Sequence, residues 1–165
     1  MDIQIKKYAQ EHFDQIANLC DEFQDYLVAI DPEKRLQRTS EYGVWSIKRK
    51  VNKLDSAKAA MYVATDGTRV VGFVFGSVDP APPDVAAYSA KLAVQGTIEE
   101  LAVTQEYRGR GIGHMLMEHV EMFLKDQGCE YLGVGVLAFN GEAHSLYEQL
   151  GYKDRSVWMS KKISE

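Results

Sequence analysis

The chain has 165 residues, 45% hydrophobic and 26% charged, with 19 Lys and Arg against 24 Asp and Glu for a net charge of −5. That length suits a single domain spanning residues 1–165 with its own core, and the composition excludes a fibrous or disordered chain. The acidic balance argues against a nucleic-acid partner, and the two cysteines, Cys20 and Cys129, are too few for a disulfide framework, which points to a reducing, cytoplasmic setting.

Ile3 and Ile5 alternate with Asp2, Gln4 and Lys6, the period-two pattern of a first strand. Phe13, Ile16, Ala17, Leu19, Cys20, Phe23, Leu27 and Ile30 then recur at spacings of three and four, predicting one long helix stopped by Asp31-Pro32. A more charged helix is expected over Glu41 to Leu54, and its basic run of Lys48, Arg49, Lys50 and Lys53 reads as a solvated face. Met61 to Thr65 and Val70 to Val78 predict two strands joined by a hairpin turn at Asp66-Gly67. Pro80, Pro82 and Pro83 make Asp79 to Val94 a long connection, with a short helix expected around Val85 to Lys91.

Thr97 to Val103 resumes strand character and runs into a glycine cluster, after which Met115, Leu116, Val120, Phe123 and Leu124 repeat helically as far as Gly128. Tyr131 to Leu137 predicts an apolar strand, Glu142 to Leu150 a short helix ended by Gly151, and Ser156 to Ile163 a last strand. The expected architecture is α/β (α+β), a mixed sheet covered by helices in the order β-α-α-β-β-β-α-β-α-β. No apolar run approaches the ~20 residues needed to span a bilayer, and no basic-then-apolar leader is visible, so no membrane association is expected.

The glycine cluster runs Thr104-Gln105-Glu106-Tyr107-Arg108-Gly109-Arg110-Gly111-Ile112-Gly113, from a strand end to a helix start. Glycines let successive backbone amides converge on a ligand, and the helix dipole adds partial positive charge there, so the segment outlines an anion site. It is not a Walker loop, because His114 and Met115 follow Gly113 where Lys and Ser or Thr are required, and its glycines do not fit a dinucleotide fingerprint. Metal chemistry is not expected either, since His114 and His119 lie five apart on a helix and face different ways. Ser145 beside His144 makes no triad.

Arg108, Gly111 and Gly113, spaced as Arg, two residues, Gly, one residue, Gly, resemble the acetyl-CoA signature of the GNAT superfamily of N-acetyltransferases. Ile98 to Val103 resembles the family's central strand, and Asn140 through Tyr147 to Leu150-Gly151-Tyr152 its second cofactor motif. The resemblance implies a splayed central sheet, a homodimer, acetyl-CoA as cosubstrate and no metal. It also implies direct acetyl transfer to a primary amine of a small molecule or peptide. Backbone amides of Gly109, Arg110, Gly111, Ile112, Gly113 and His114 would surround the pyrophosphate, with Arg108 opening the turn. Leu101, Ala102 and Val103 would meet the pantetheine arm like an added strand, joined by Asn140 and Ala143. The Val103 amide would face the thioester carbonyl, a placement often worth about 3 kcal/mol.

An alkyl ammonium titrates near about 10.4, so direct transfer needs a proton acceptor. Glu99, four residues before Val103, is the first candidate; Glu100 points the other way in a regular strand, and a bulge would exchange their aims. Tyr147, seven residues after Asn140, would protonate the departing sulfur. Glu99, Glu100, Tyr26 and Trp45 are candidates for holding a cationic acceptor. A binding protein that senses acetyl-CoA without turnover is the alternative; it would keep the cradle but have no use for both Glu99 and Tyr147.

Overall fold

A computed structural model describes residues 2–56, 58–80 and 93–163. The elements follow the chain as β1 (Ile3–Lys7), α1 (Phe13–Ile30), α2 (Tyr42–Leu54), β2 (Ala59–Asp66), β3 (Arg69–Val78), β4 (Gln95–Val103), α3 (Ile112–Asp126), β5 (Tyr131–Val134) and α4 (Gly141–Gln149). They build one mixed sheet in the order β1-β2-β3-β4-β5, antiparallel except for the parallel β4–β5 pair that α3 connects. The helix expected at Val85 to Lys91 lies outside the described residues.

The two apolar stripes read from the sequence cover opposite faces of the sheet. Ile16, Ala17, Leu19 and Cys20 of α1 join Ile47 of α2 against Met61, Val63, Phe73 and Phe75, while Ile112, Leu116, Met117, Val120 and Leu124 of α3 pack on Val71, Val74 and Ile98. Helix α1 stops where expected, because Asp31 is extended before Pro32 and its carboxylate accepts from the amides of Glu33, Arg35 and Leu36. The hairpin turn falls on Gly67 and Thr68, one residue later than predicted, with Gly67 at φ 62°.

Two expectations fail at the far end of the sheet. No strand forms over 156–163: Val157, Trp158 and Met159 are all more than 80% exposed. Neighbouring side chains on both faces are equally bare, so the apolar run has no face to bury and its backbone makes no ladder among the described residues. Strand β5 ends at Val134 rather than Leu137. Its pairing with β4 runs only from Gln95↔Tyr131 to Ile98↔Val134, and glycines at 133 and 135 weaken it further.

The next residue of β4 explains the break. Phe75 pairs with Glu100 and Gly76 with Ile98, so Glu99 has no opposite residue in β3 and forms a bulge. Ile98 and Leu101 pack toward α3, whereas Glu99 and Glu100 both reach α2. From Glu99 to Val103 the strand keeps β3 on one side and has no strand partner on the other among the described residues.

Candidate active site

The open half of β4 leads into the glycine turn. Gly109 and Gly111 take left-handed backbone conformations, φ 72° and 79°, and Gly111 is the N-cap of α3 without a side-chain cap bond. Amides of the first helical turn lack carbonyl partners within the helix, and the dipole favours an anion in front of them. Glu22 of α1 fixes the approach to this turn: its carboxylate accepts from Thr104 Oγ1 at 2.8 and 2.9 Å and from the Gln105 amide at 2.8 Å.

A cavity of about 380 Å³ lies along this path. Leu101, Ala102, Val103, Arg108, Gly109, Gly111, Ile112, Gly113, His114, Asn140, Ala143 and Tyr147 line it, as do Phe23, Tyr26, Tyr107, Glu142, Leu146 and Gln149, of which Tyr26 was expected to hold an acceptor instead. Arg110 is not on the wall; its guanidinium stands 5.4 Å from the Tyr107 ring. The Thr104 amide donates to Val71 O in β3, so by alternation the Val103 amide faces the open edge. Arg108 Nε donates to Val103 O at 3.1 Å, and its guanidinium lies 4.4 Å from the Tyr26 ring.

Tyr26 thus belongs to this cavity and is absent from the described walls of the one that Glu99 and Glu100 line. Its hydroxyl reaches Asn140 Oδ1 and Glu142 Oε2, each at 3.4 Å, linking α1 to the start of α4. Burial, followed by the Glu142 carboxylate, raises the Tyr26 phenol above its ordinary range.

A second cavity of about 250 Å³ adjoins the first and shares Phe23, Leu101, Asn140, Ala143 and Tyr147 with it. Its other walls are Leu27, Tyr42, Ile98, Glu99, Glu100 and residues 134–137. Tyr147, on the inner face of α4, is 8% exposed; burial pushes its phenol up to about 12. The Tyr152 ring meets it edge-on at 5.9 Å and is itself anchored by a 2.7 Å bond from its hydroxyl to Glu121.

Both glutamates are met by lysines of α2; Lys48, Arg49 and Lys53 are exposed, as a solvated basic face requires, and Lys50 is the exception. Lys53 Nζ lies 2.8 Å from each Glu99 oxygen, and Ser77 Oγ donates to Glu99 Oε1 at 2.7 Å. Lys50 is buried, pairs with Glu100 Oε2 at 2.6 Å and donates to Ser46 Oγ at 2.7 Å. The missed signal was helical spacing: Gly43, Ser46, Ile47 and Lys50 fall on one buried stripe. Glu100 Oε1 is buried without a hydrogen-bond partner. Beneath this pair, burial and then the Glu100 carboxylate push the Cys20 thiol up to about 12.

Trp45 touches neither cavity. It is 52% exposed, packed 5.8 Å from the Tyr42 ring with the Arg49 guanidinium 4.8 Å from its own, so Tyr42 takes the wall position expected of it. Among the described residues no group of three His, Cys, Asp or Glu converges as a metal shell would.

The family model described as Acetyltransferase (GNAT) family matches residues 16–152. The chain belongs to that family. Every described wall residue of both cavities falls inside the matched span. This GNAT chain is 34% identical over 97 residues to an uncharacterized N-acetyltransferase of Methanocaldococcus jannaschii, covering 58% of the chain and 54% of that relative. It is 40% identical over 57 residues to the thialysine N-epsilon-acetyltransferase of Bos taurus, 34% of each chain. It therefore spans about half or less of the length of these curated relatives. The GNAT fold also superposes on AAC(6')-Iy, solved with the bisubstrate analogue CoA-S-monomethyl-acetylneamine, with TM-score 0.69, 15% identity, and 98% of this chain and 99% of that one covered.

Proposed function

We propose that the chain is an acetyl-CoA-dependent N-acetyltransferase, one catalytic domain over 1–165, acting on the primary amine of a small molecule or peptide. The observation that carries this reading is the meeting of two cavities at Tyr147: one backed by the glycine turn and the free edge of β4, the other headed by Glu99 and Glu100. Bare backbone amides suit a pyrophosphate, and an unpaired strand edge suits the amide-bearing arm that precedes the thioester. The relative named for thialysine and the fold neighbour solved with a CoA bisubstrate analogue support both halves.

On this reading the cosubstrate supplies the activated acetyl group and the chain's residues do the rest. Gly109 to His114, with Arg108, hold the phosphates; Leu101, Ala102, Val103, Asn140 and Ala143 align the arm. Glu99 takes a proton from the acceptor ammonium, and its position at the cavity rim, with the side chain about a quarter exposed, lets that proton pass to solvent. The amine nitrogen then bonds to the acetyl carbon. The Val103 amide donates to the carbonyl oxygen as charge develops there, Tyr147 gives its proton to the sulfur as the carbon–sulfur bond breaks, and the acylated nitrogen then releases its second proton, which restores the Tyr147 phenol by way of solvent. A sensor without turnover would not need the carboxylates and the phenol on one cavity wall.

The test is calorimetric titration of acetyl-CoA into the wild type and into Gly111→Trp, followed by thiol release with added amines. Binding lost in the variant, with amine-dependent thiol release in the wild type, is the expected result. A folded wild type that does not bind acetyl-CoA would overturn the reading; binding without release by any amine would favour the sensor.

A further inference from the structure

The two outer edges of the sheet are built differently. Strand β1 carries Lys6 and Lys7, charges of the kind that keep a further strand from adding. At the other edge β5 and the two residues after it read Tyr131-Leu132-Gly133-Val134-Gly135-Val136, with neither charge nor proline. Among the described residues no strand pairs with the outer side of β5. Leu132, Val134 and Val136 pack against the α3 core yet stay only half-buried, so this face of the sheet ends unfinished.

Beside that edge runs a groove of about 1090 Å³, walled by residues 131–136, by His144, Tyr147 and Glu148 of α4, and by residues 150–156 with Trp158. A strand residue fills roughly 160 Å³, at ~3.3 Å along the chain, ~4.8 Å between strands and ~10 Å between layers, so the groove takes about seven residues in extended form. The segment after α4 passes along its far side. His144 Nε2 lies 2.9 Å from Asp154 Oδ1, and Arg35 Nη1 donates to Ser160 Oγ at 3.1 Å. Between and beyond these points residues 153–163 are all exposed and make no backbone hydrogen bond among the described residues. Val157 and Trp158 are each 82% exposed, Met159 86% and Ile163 94%, an apolar content for which a solvated stretch has no use.

We propose that the chain forms a two-fold dimer by exchanging this segment. The Asp154–His144 contact holds the hinge, and residues 157–163 of each copy lie along β5 of the other, with the exposed Arg35–Ser160 bond given up. Each copy has a strand without an edge and an edge without a strand, so one reciprocal move satisfies both. Alternation puts Val157 and Met159 on one face, continuing Leu132 and Val134 over α3, and Trp158 on the other, over Gly133 and Gly135. There is space for the indole, since a Cβ at 135 would meet nothing within 4 Å. Within one chain the segment already borders the groove and still leaves β5 unpaired, which is why the occupant is taken from a second copy.

Val134, Gly135, Val136 and Tyr147 wall both this groove and the second cavity. On the acetyl-transfer reading above, the exchanged strand therefore backs the acceptor side of the site.

Light scattering on the wild-type protein at micromolar concentration should give twice the 18.6 kDa of one chain. Val157→Asp with Trp158→Asp spoils the segment, and Gly135→Asp charges the groove; each should give the mass of one chain with unchanged far-ultraviolet circular dichroism. A monomeric wild type, or a dimer that survives both variants, overturns the inference. Mixing the two variants brings an intact segment to an intact groove, so the mixture should dimerise at concentrations where each alone stays monomeric. A mixture that remains monomeric overturns exchange, because a segment folded back on its own β5 gains nothing from mixing.

Turnover is read separately, as thiol release from acetyl-CoA with phenethylamine, spermidine and neamine as trial acceptors. Amine kcat/KM should fall at least tenfold in the monomeric double variant while acetyl-CoA titrates as in the wild type. Turnover unchanged in that monomer overturns the link to the acceptor side. A wild-type dimer that releases no thiol with any of the three amines counts against acetyl transfer and leaves the exchange standing.

Discussion

Tyr147 keeps its proton through the pH range in which an amine can react, since burial holds the phenol up at about 12. Removing only the hydroxyl, as in Tyr147→Phe, is expected to lower kcat about 100-fold, the lower end of what a positioned acid contributes. Acetyl-CoA affinity should stay within error. Steady-state thiol release beside calorimetry separates the two quantities, and unchanged turnover would take the phenol out of the reaction. The meeting of Tyr147, Asn140 and the glycines on one cavity was legible in the sequence because it depends on spacing along one helix or one turn. Lys50 was not. A lysine in a polar helix reads as solvated, and only the placement of α2 over the β4 bulge shows that it meets Glu100 with its side chain 9% exposed. Losing one member of such a pair costs about 3–5 kcal/mol, because the survivor stays buried and alone.

Helix α2 owes its position to Gly43. Its amide takes a 2.9 Å bond to Asp21 Oδ1 on α1, and a Cβ at this residue would sit 2.1 Å from Ala17 O. Gly43→Ala therefore has to push α2 off α1, carrying Lys50 and Lys53 away from Glu100 and Glu99. The expected outcome is a loss of roughly 1–3 kcal/mol in urea unfolding, the usual penalty of overpacking, together with a fall in amine kcat/KM while acetyl-CoA binding holds. A loss of acetyl-CoA binding instead would mean that α2 supports the cradle. Helix α1 was predicted to the residue, and β1 to β3 to within two residues at each end. The β4 bulge left both glutamates on the side of α2, an outcome that alternation alone does not give, and 156–163 showed strand-forming residues without a partner edge. Pairing is a property of two segments, which one segment's pattern does not contain.

Across the whole molecule, the proton-binding groups of the core make stability depend on alkaline pH. Burial raises the Cys20 thiol from 9.0 to about 12, and the Tyr42 and Tyr147 phenols from 10.0 to about 12. The folded chain therefore keeps protons that the unfolded chain releases, and the unfolding free energy falls with rising pH wherever that holds. Stability from these groups is complete below pH ~9 and is lost as pH climbs toward ~12. Urea midpoints measured from pH 7 to 11 should be level at first and decline above 9; a flat profile to 11 would mean that these side chains are not shielded as described. Overall architecture was legible because helix and strand periods alternate along the chain. The net charge of −5 gave no hint that Glu99 and Glu100 would each meet a lysine of α2.

Phe23, Leu101, Asn140, Ala143 and Tyr147 are walls of both cavities at once. Whatever fills the first comes to rest against side chains that also bound the second, and so finishes the second compartment from behind. On the proposed reading this predicts a timetable, with the carrier entering first and leaving last, and product inhibition by CoA that is competitive with acetyl-CoA alone is the expected sign of it.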